Sequence, residues 1–134
     1  MASKDEISVR CITVNRPLAA KPFRESVRVG DTLYIAGHIG LDPRTGKPGA
    51  TAQEEARLMM DAFKETTEAA GMSMDDMVSL TIYCSDVSLY DEFNTVYRTY
   101  FRGPLPARAF IGSGPLLFGA RFEVQGIAAT SAAS

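Results

Sequence analysis

The sequence has few of the side chains that most often carry out chemistry. It contains one histidine, His38, and two cysteines, Cys11 and Cys84. A zinc site draws three or four ligands from closely paired Cys and His positions, and a lone imidazole with two distant thiols does not supply them. No metal and no cofactor are expected. Two thiols without an apolar signal core in the acidic stretch Met1–Glu6 read as reduced cysteines of a cytoplasmic protein. No segment approaches the roughly 20 apolar residues that span a bilayer. An excess of positive charge is also missing, since Lys and Arg number 14 against 16 Asp and Glu, for a formal net charge of −2. Arg10, Arg16, Lys21, Arg24 and Arg28 are interspersed with Asp5, Glu6, Glu25 and Asp31, so no basic run exists to hold a nucleic acid.

Familiar catalytic patterns are missing too. A Ser-His-Asp hydrolase would need His38 as its base, and no Gly-x-Ser-x-Gly elbow is present. Gly112-Ser113-Gly114 has glycines one apart, but Pro115 and Leu117 break the dinucleotide pattern and no helix follows, so it reads as a turn. Cys84 lies on an apolar strand face, where a thiol usually packs and does not react.

What is present describes one α+β domain over residues 1–134, with 130–134 as a frayed tail. Ile7–Val14 can form an opening strand. Ser26–Val29 and Thr32–Ala36 alternate around Gly30-Asp31, a two-residue hairpin connection. Asp42-Pro43-Arg44-Thr45-Gly46 has the composition of a turn. Thr51-Ala52-Gln53-Glu54 forms a capping box. Behind it, Ala56, Met59, Met60, Phe63 and Ala70 trace a helical stripe that Gly71 ends. Met77–Cys84 alternates as a strand. Ser88-Leu89-Tyr90-Asp91 opens a second helix with Phe93, Val96, Tyr97, Tyr100 and Phe101, closed by Gly103-Pro104. Ala107–Ile111 and Arg121–Ala128 supply the last two strands. The expected architecture is a six-stranded mixed sheet with two helices on one face. Phe122 and Val124 point one way and Ile127 the other, so the sheet is apolar on both faces and a second copy of the chain is expected to cover the free one.

Arg108 stands out as a guanidinium inside a strand, sharing its face with Phe110. An unpaired charge among apolar neighbours is costly, and the planar guanidinium fork suits a carboxylate. The partner is either the acid of a bound small molecule or Glu123, provided the last two strands pair; spacing alone leaves both open. Glu123 is otherwise a carboxylate able to hold and polarise a water, or a solvent-facing charge. His38 can donate to a ligand from its strand end, or sit as a satisfied ring beside its glycines.

The run Gly37–Gly46, Glu68-Ala69-Ala70-Gly71, Tyr97 and Phe101, Pro106-Ala107-Arg108, and Phe122-Glu123-Val124 with Ile127-Ala128 resemble the Rid or YjgF-type family, the reactive intermediate deaminases. The resemblance extends from about Val27 to Ala128, and Pro-Ala-Arg is its most specific piece. It implies a homotrimer of chorismate-mutase-like subunits whose sheets form a central barrel, with clefts between neighbouring subunits. It further implies cofactor-free hydrolysis of small enamines and imines to 2-keto acids and ammonia. Arg108 matches the substrate-carboxylate clamp, and Glu123 matches the glutamate that positions water. Asn94 matches a cleft-lining polar position, and Phe23, Gly37, His38 and Phe110 fall at other cleft positions. Phe110 replaces the family's usual cysteine, Phe23 a frequent tyrosine, and Ala36-Gly37-His38 the usual Ser-Gly-Gln, which makes the cleft more apolar around an intact clamp. The alternative is a non-catalytic trimeric module sensing small carboxylate metabolites. An endoribonuclease, another activity attached to relatives, fits poorly with the near-neutral charge.

Overall fold

A computed structural model describes residues 21–130 in full and residues 9–12 as backbone. Gly30 adopts φ 58° and makes the expected tight turn between β2 (Ser26–Val29) and β3 (Thr32–His38), which pair antiparallel from Val29↔Thr32. Of the strand expected over Ile7–Val14, Val9–Ile12 forms β1 against the outer edge of β2. Its flanks, the loop up to residue 20 and the tail 131–134 lie outside the described residues. The Asp42–Gly46 turn closes a small separate hairpin of β4 (Leu41–Asp42) and β5 (Lys47–Pro48).

Helix α1 (Ala52–Ala69) starts as its cap dictates, with the Thr51 hydroxyl accepting from the Glu54 N–H at 3.1 Å. Ala56, Met59, Met60 and Phe63 are fully buried. Gly71 ends the helix at φ 84°, its N–H donating to the Glu68 carbonyl at 2.9 Å. β6 (Met77–Cys84) follows. Helix α2 (Tyr90–Tyr97) corrects one expectation, because Ser88 is not its cap. Asp86 accepts from the Ser88 N–H at 3.0 Å and from its hydroxyl at 2.7 Å, so that hydroxyl donates instead of capping, and a 3-10 turn over Val87–Leu89 leads into the helix. A carboxylate two residues upstream is the stronger acceptor. The helix also stops earlier than its apolar pattern, and a 3-10 turn over Arg98–Tyr100 carries the last residues. β7 (Ala107–Gly112) and β8 (Phe122–Ala129) complete the chain.

The main sheet runs β1-β2-β3-β8-β6-β7. Side chains are described for five of these strands; β1 extends the edge as backbone. β6 and β7 are parallel and the other pairs antiparallel, so the sheet is mixed and the domain α+β. Leu33, Ile35, Leu80, Ile82, Phe122 and Val124 face the helices and pack with Met59, Met60, Phe63 and Phe93. The opposite face is open in the single chain. Tyr34 (50% exposed), Val78 (52%), Ile111 (44%) and Ile127 (37%) lie on or beside it, an apolar surface of the kind that marks an association face.

Candidate functional site

Arg108 occupies the outermost strand, β7, opposite Leu80 of β6, so its side chain points to the helix-covered face. There α2 meets it. Tyr90, Phe93, Asn94 and Tyr97 stand at the i, i+3, i+4 and i+7 positions that share one helix face. The Arg108 guanidinium carbon lies 4.6 Å from the Tyr97 ring centre, 5.6 Å from Tyr90 and 6.0 Å from Phe93. Phe110, two residues along β7, adds a fourth ring at 5.4 Å. Rings at this range stabilise a guanidinium by about 0.5–2 kcal/mol each at best. Nη1 donates to the Asn94 Oδ1 at 2.8 Å. Among the described residues the guanidinium forms no ion pair. A half-buried cation thus sits in an aromatic frame with one amide oxygen to orient it and most of its five N–H donors uncommitted.

Pairing between Arg108 and Glu123 does not occur. β8 lies between β3 and β6 and does not pair with β7. Glu123 stands opposite Tyr83, on the open face, whereas Arg108 is on the covered one. Its carboxylate rests over Gly37 of β3, where a Cβ would collide with Oε2. Gly37 and Glu123 are therefore one small constellation, and Arg108, Asn94 and Phe110 are another, on opposite faces of the same sheet.

His38 belongs to neither. It is 7% exposed, with Nδ1 2.7 Å from the Ala36 carbonyl and Nε2 2.8 Å from the Thr66 hydroxyl. Its ring packs edge-on to Phe63. Both nitrogens engage protein partners in the core, so the satisfied-ring alternative describes it and a ligand-facing donor does not. Phe23 is 51% exposed in the loop before β2, far across the sheet from β7, with the Lys21 ammonium 5.6 Å from its ring centre. Cys84 is buried, and burial pushes its thiol up from the ordinary value, which suits an inert packing group.

Two groups escaped sequence reasoning. Tyr90 and Tyr97 looked like members of an apolar helix stripe, although their spacing with Asn94 already placed all three on one face. Glu55, which no motif singles out, stands in the first turn of α1 yet is fully buried. Its Oε2 accepts from the backbone N–H groups of Arg121 (2.6 Å) and Phe122 (3.1 Å), and its Oε1 pairs with the Arg121 guanidinium at 2.7 Å. It pins the start of β8, next to Glu123.

The chain is thus an α+β subunit with an edge-strand arginine set among aromatic rings and an apolar sheet face left bare in the single chain. The chain belongs to the endoribonuclease L-PSP family, whose pattern it matches over residues 13–130. It is 37% identical over 118 residues to 2-iminobutanoate/2-iminopropanoate deaminase of Mus musculus, covering 87% of both chains. Against the Homo sapiens deaminase of the same name it is 34% identical over 118 residues, covering 87% of this chain and 85% of that one. Among solved structures, E. coli TdcF with bound serine superposes with a TM-score of 0.84 at 28% identity, covering 91% of this chain and 99% of that one. RidA from a Psychrobacter species gives 0.83 at 30% identity, covering 90% and 99%.

Proposed function

We propose that the protein hydrolyses small 2-imino acids and their enamine tautomers to 2-keto acids and ammonia, in clefts formed between copies of the chain. The observation that carries this reading is Arg108, a half-buried guanidinium held by Asn94 and four aromatic rings with no carboxylate partner among the described residues. A fork so placed can take the carboxylate of a guest in two parallel hydrogen bonds. The deaminases at 34–37% identity support the reaction type, and the serine bound by TdcF is itself a small carboxylate.

The chemistry asks little of the protein beyond placement. Arg108 fixes the acid end of the substrate. Water adds to the imine carbon, the C=N π pair moves to nitrogen, and Glu123 takes the proton that the water gives up. That proton passes to nitrogen to give a carbinolamine. Its hydroxyl proton then follows to nitrogen by the same carboxylate, the O–H pair closes the C=O bond as the C–N bond breaks, and ammonia leaves a carbonyl behind. A guanidinium offers donors and no acceptor, so Arg108 acts as no base. Orienting the two reactants supplies most of the acceleration.

One substrate touches both constellations when Arg108 comes from one copy and Glu123 from another, because within a chain they occupy opposite sheet faces. The bare face carrying Tyr34, Ile111 and Ile127 supports a second copy seated against it. A closed trimer with the sheets turned inward as a barrel satisfies both requirements, and the cytoplasm is the compartment where a free thiol such as Cys84 persists.

The test generates 2-aminoacrylate in situ with a dehydratase and follows keto acid and ammonia, alongside light scattering of the same sample. Wild-type protein is expected to accelerate release and to scatter as a trimer. Glu123→Ala is expected to lose turnover while still binding pyruvate. Ligand binding without any acceleration would establish the sensing module instead, and a micromolar monomer would remove the shared cleft.

Gly37→Ala is a finer probe of the same arrangement. The new Cβ pushes against the flexible end of Glu123 and not against backbone, so the fold should tolerate it. Displacing the carboxylate by about 1 Å is expected to cut kcat by up to roughly 100-fold. A variant with wild-type kcat would show that Glu123 does not work from its seat on Gly37.

A further inference from the structure

Among the described residues two buried side-chain oxygens have no hydrogen-bond partner, Ser26 Oγ and the Tyr97 hydroxyl. Ser26 lies on β2 at the other end of the sheet. Tyr97 is 3% exposed and stands beside Arg108. Buried phenols nearly always find a partner, so this orphan at the proposed clamp calls for a reason.

Packing does not provide one. The Tyr97 ring contacts Phe93 at 5.7 Å and Phe101 at 4.9 Å between centroids, and a phenylalanine would make the same contacts without an unmet hydroxyl. Electrostatics keep the group a donor. Burial pushes the Tyr97 hydroxyl up, and Arg108, both as a nearby cation and as a donor aimed at the phenol oxygen, only partly opposes that, so the phenol holds its proton and that proton has no acceptor. That proton lies beside a guanidinium that donates to Asn94 at 2.8 Å and leans a second N–H toward the phenol oxygen. The cation, the amide and the phenol converge from β7 and two successive turns of α2.

We propose that the Tyr97 hydroxyl is a second hydrogen-bond donor to the ligand's carboxylate, so that Arg108 and Tyr97 together form a two-point site for a small 2-oxo or 2-imino acid. The inference rests on the reading of Arg108 as the clamp. An anion held by both groups gives the phenol the acceptor it lacks. It also favours a carboxylate over a neutral amide, whose NH2 would oppose the guanidinium and offer a single acceptor to two donors.

Calorimetry with pyruvate as the probe, on wild type, Arg108→Ala and Tyr97→Phe, separates the possibilities, with thermal melts of the same proteins without ligand. Tyr97→Phe is expected to weaken pyruvate binding about 10-fold, the equivalent of about 1.4 kcal/mol. Its melting temperature is expected to stay equal or rise, since the change removes an unmet polar group. Unchanged pyruvate affinity in Tyr97→Phe, with binding lost in Arg108→Ala, would overturn the role of the hydroxyl and leave the clamp standing. A lower melting temperature with unchanged affinity would likewise assign the hydroxyl to structure. Wild-type affinity in Arg108→Ala, or no pyruvate binding by wild type, would sink the clamp and this inference with it.

Discussion

Replacing Arg108 with alanine is expected to lower kcat/KM for a 2-imino acid by a factor of about 30 to several thousand. Truncating one partner of a desolvated charge pair typically costs about 2–5 kcal/mol, and every 1.4 kcal/mol is tenfold. The substrate's carboxylate would enter an aromatic frame of Tyr90, Phe93, Tyr97 and Phe110 that offers it no cation. The folded chain loses less. Its losses are the bond to Asn94 and the ring contacts, offset by removal of a half-buried cation that has no carboxylate partner among the described residues, so the melting temperature should fall by only a few degrees. Arg108→Lys separates charge from shape. Lysine brings a point charge without the planar fork, and it is expected to recover part of the loss and leave KM raised. Full recovery in the lysine variant would mean that charge alone is read and that bidentate geometry is unimportant. Steady-state kinetics on both variants, with melts as controls, decide it.

The reach and limits of the sequence follow from what alternation encodes. A period of two in Met77–Cys84 and Phe122–Ala129 tells which side chains are buried, and Leu80, Ile82, Phe122 and Val124 are buried accordingly. It is silent on which strand lies beside which. β8, last in the chain, inserts between β3 and β6, and that crossover separates Glu123 from Arg108. The local motifs fared according to their competitors. Thr51 caps α1 because no better acceptor is near, whereas Asp86 takes Ser88 away from α2. Arg108 was legible because a guanidinium between Ala107, Ala109 and Phe110 contradicts its surroundings. Tyr97 was hidden because a tyrosine in an apolar helix stripe contradicts nothing. His38 drew notice as the sole imidazole, but its partners are the Ala36 carbonyl and Thr66, the latter 28 residues away, and no local pattern signals such a contact.

Glu55 was the least legible of all, and its removal is expected to be strongly destabilising. A Glu four residues past a helix cap is ordinarily a solvated charge favoured by the helix dipole. Here the carboxylate is completely buried and serves three donors, two backbone N–H groups at Arg121 and Phe122 and the Arg121 guanidinium. Glu55→Ala orphans the two backbone donors and leaves the Arg121 guanidinium only its carbonyl partners at Gly49 and Ala50, and breaking such a buried arrangement costs about 3–5 kcal/mol. For a chain of this size that is a fall in melting temperature on the order of 10–20 °C. Arg121→Ala should cost less. The Arg121 side chain is 35% exposed, so its removal lets water reach the carboxylate while the two backbone donors remain bound. The expected order, Glu55→Ala well below Arg121→Ala, identifies the anchored strand backbone as the main contribution; equal losses would assign it to the ion pair. Function should follow the strand. Phe122, whose N–H binds Glu55, immediately precedes Glu123, so under the proposed mechanism Glu55→Ala held below its melting transition is expected to bind pyruvate through Arg108 yet turn over imine slowly, because the Glu123 carboxylate has lost the anchor that fixes its place over Gly37.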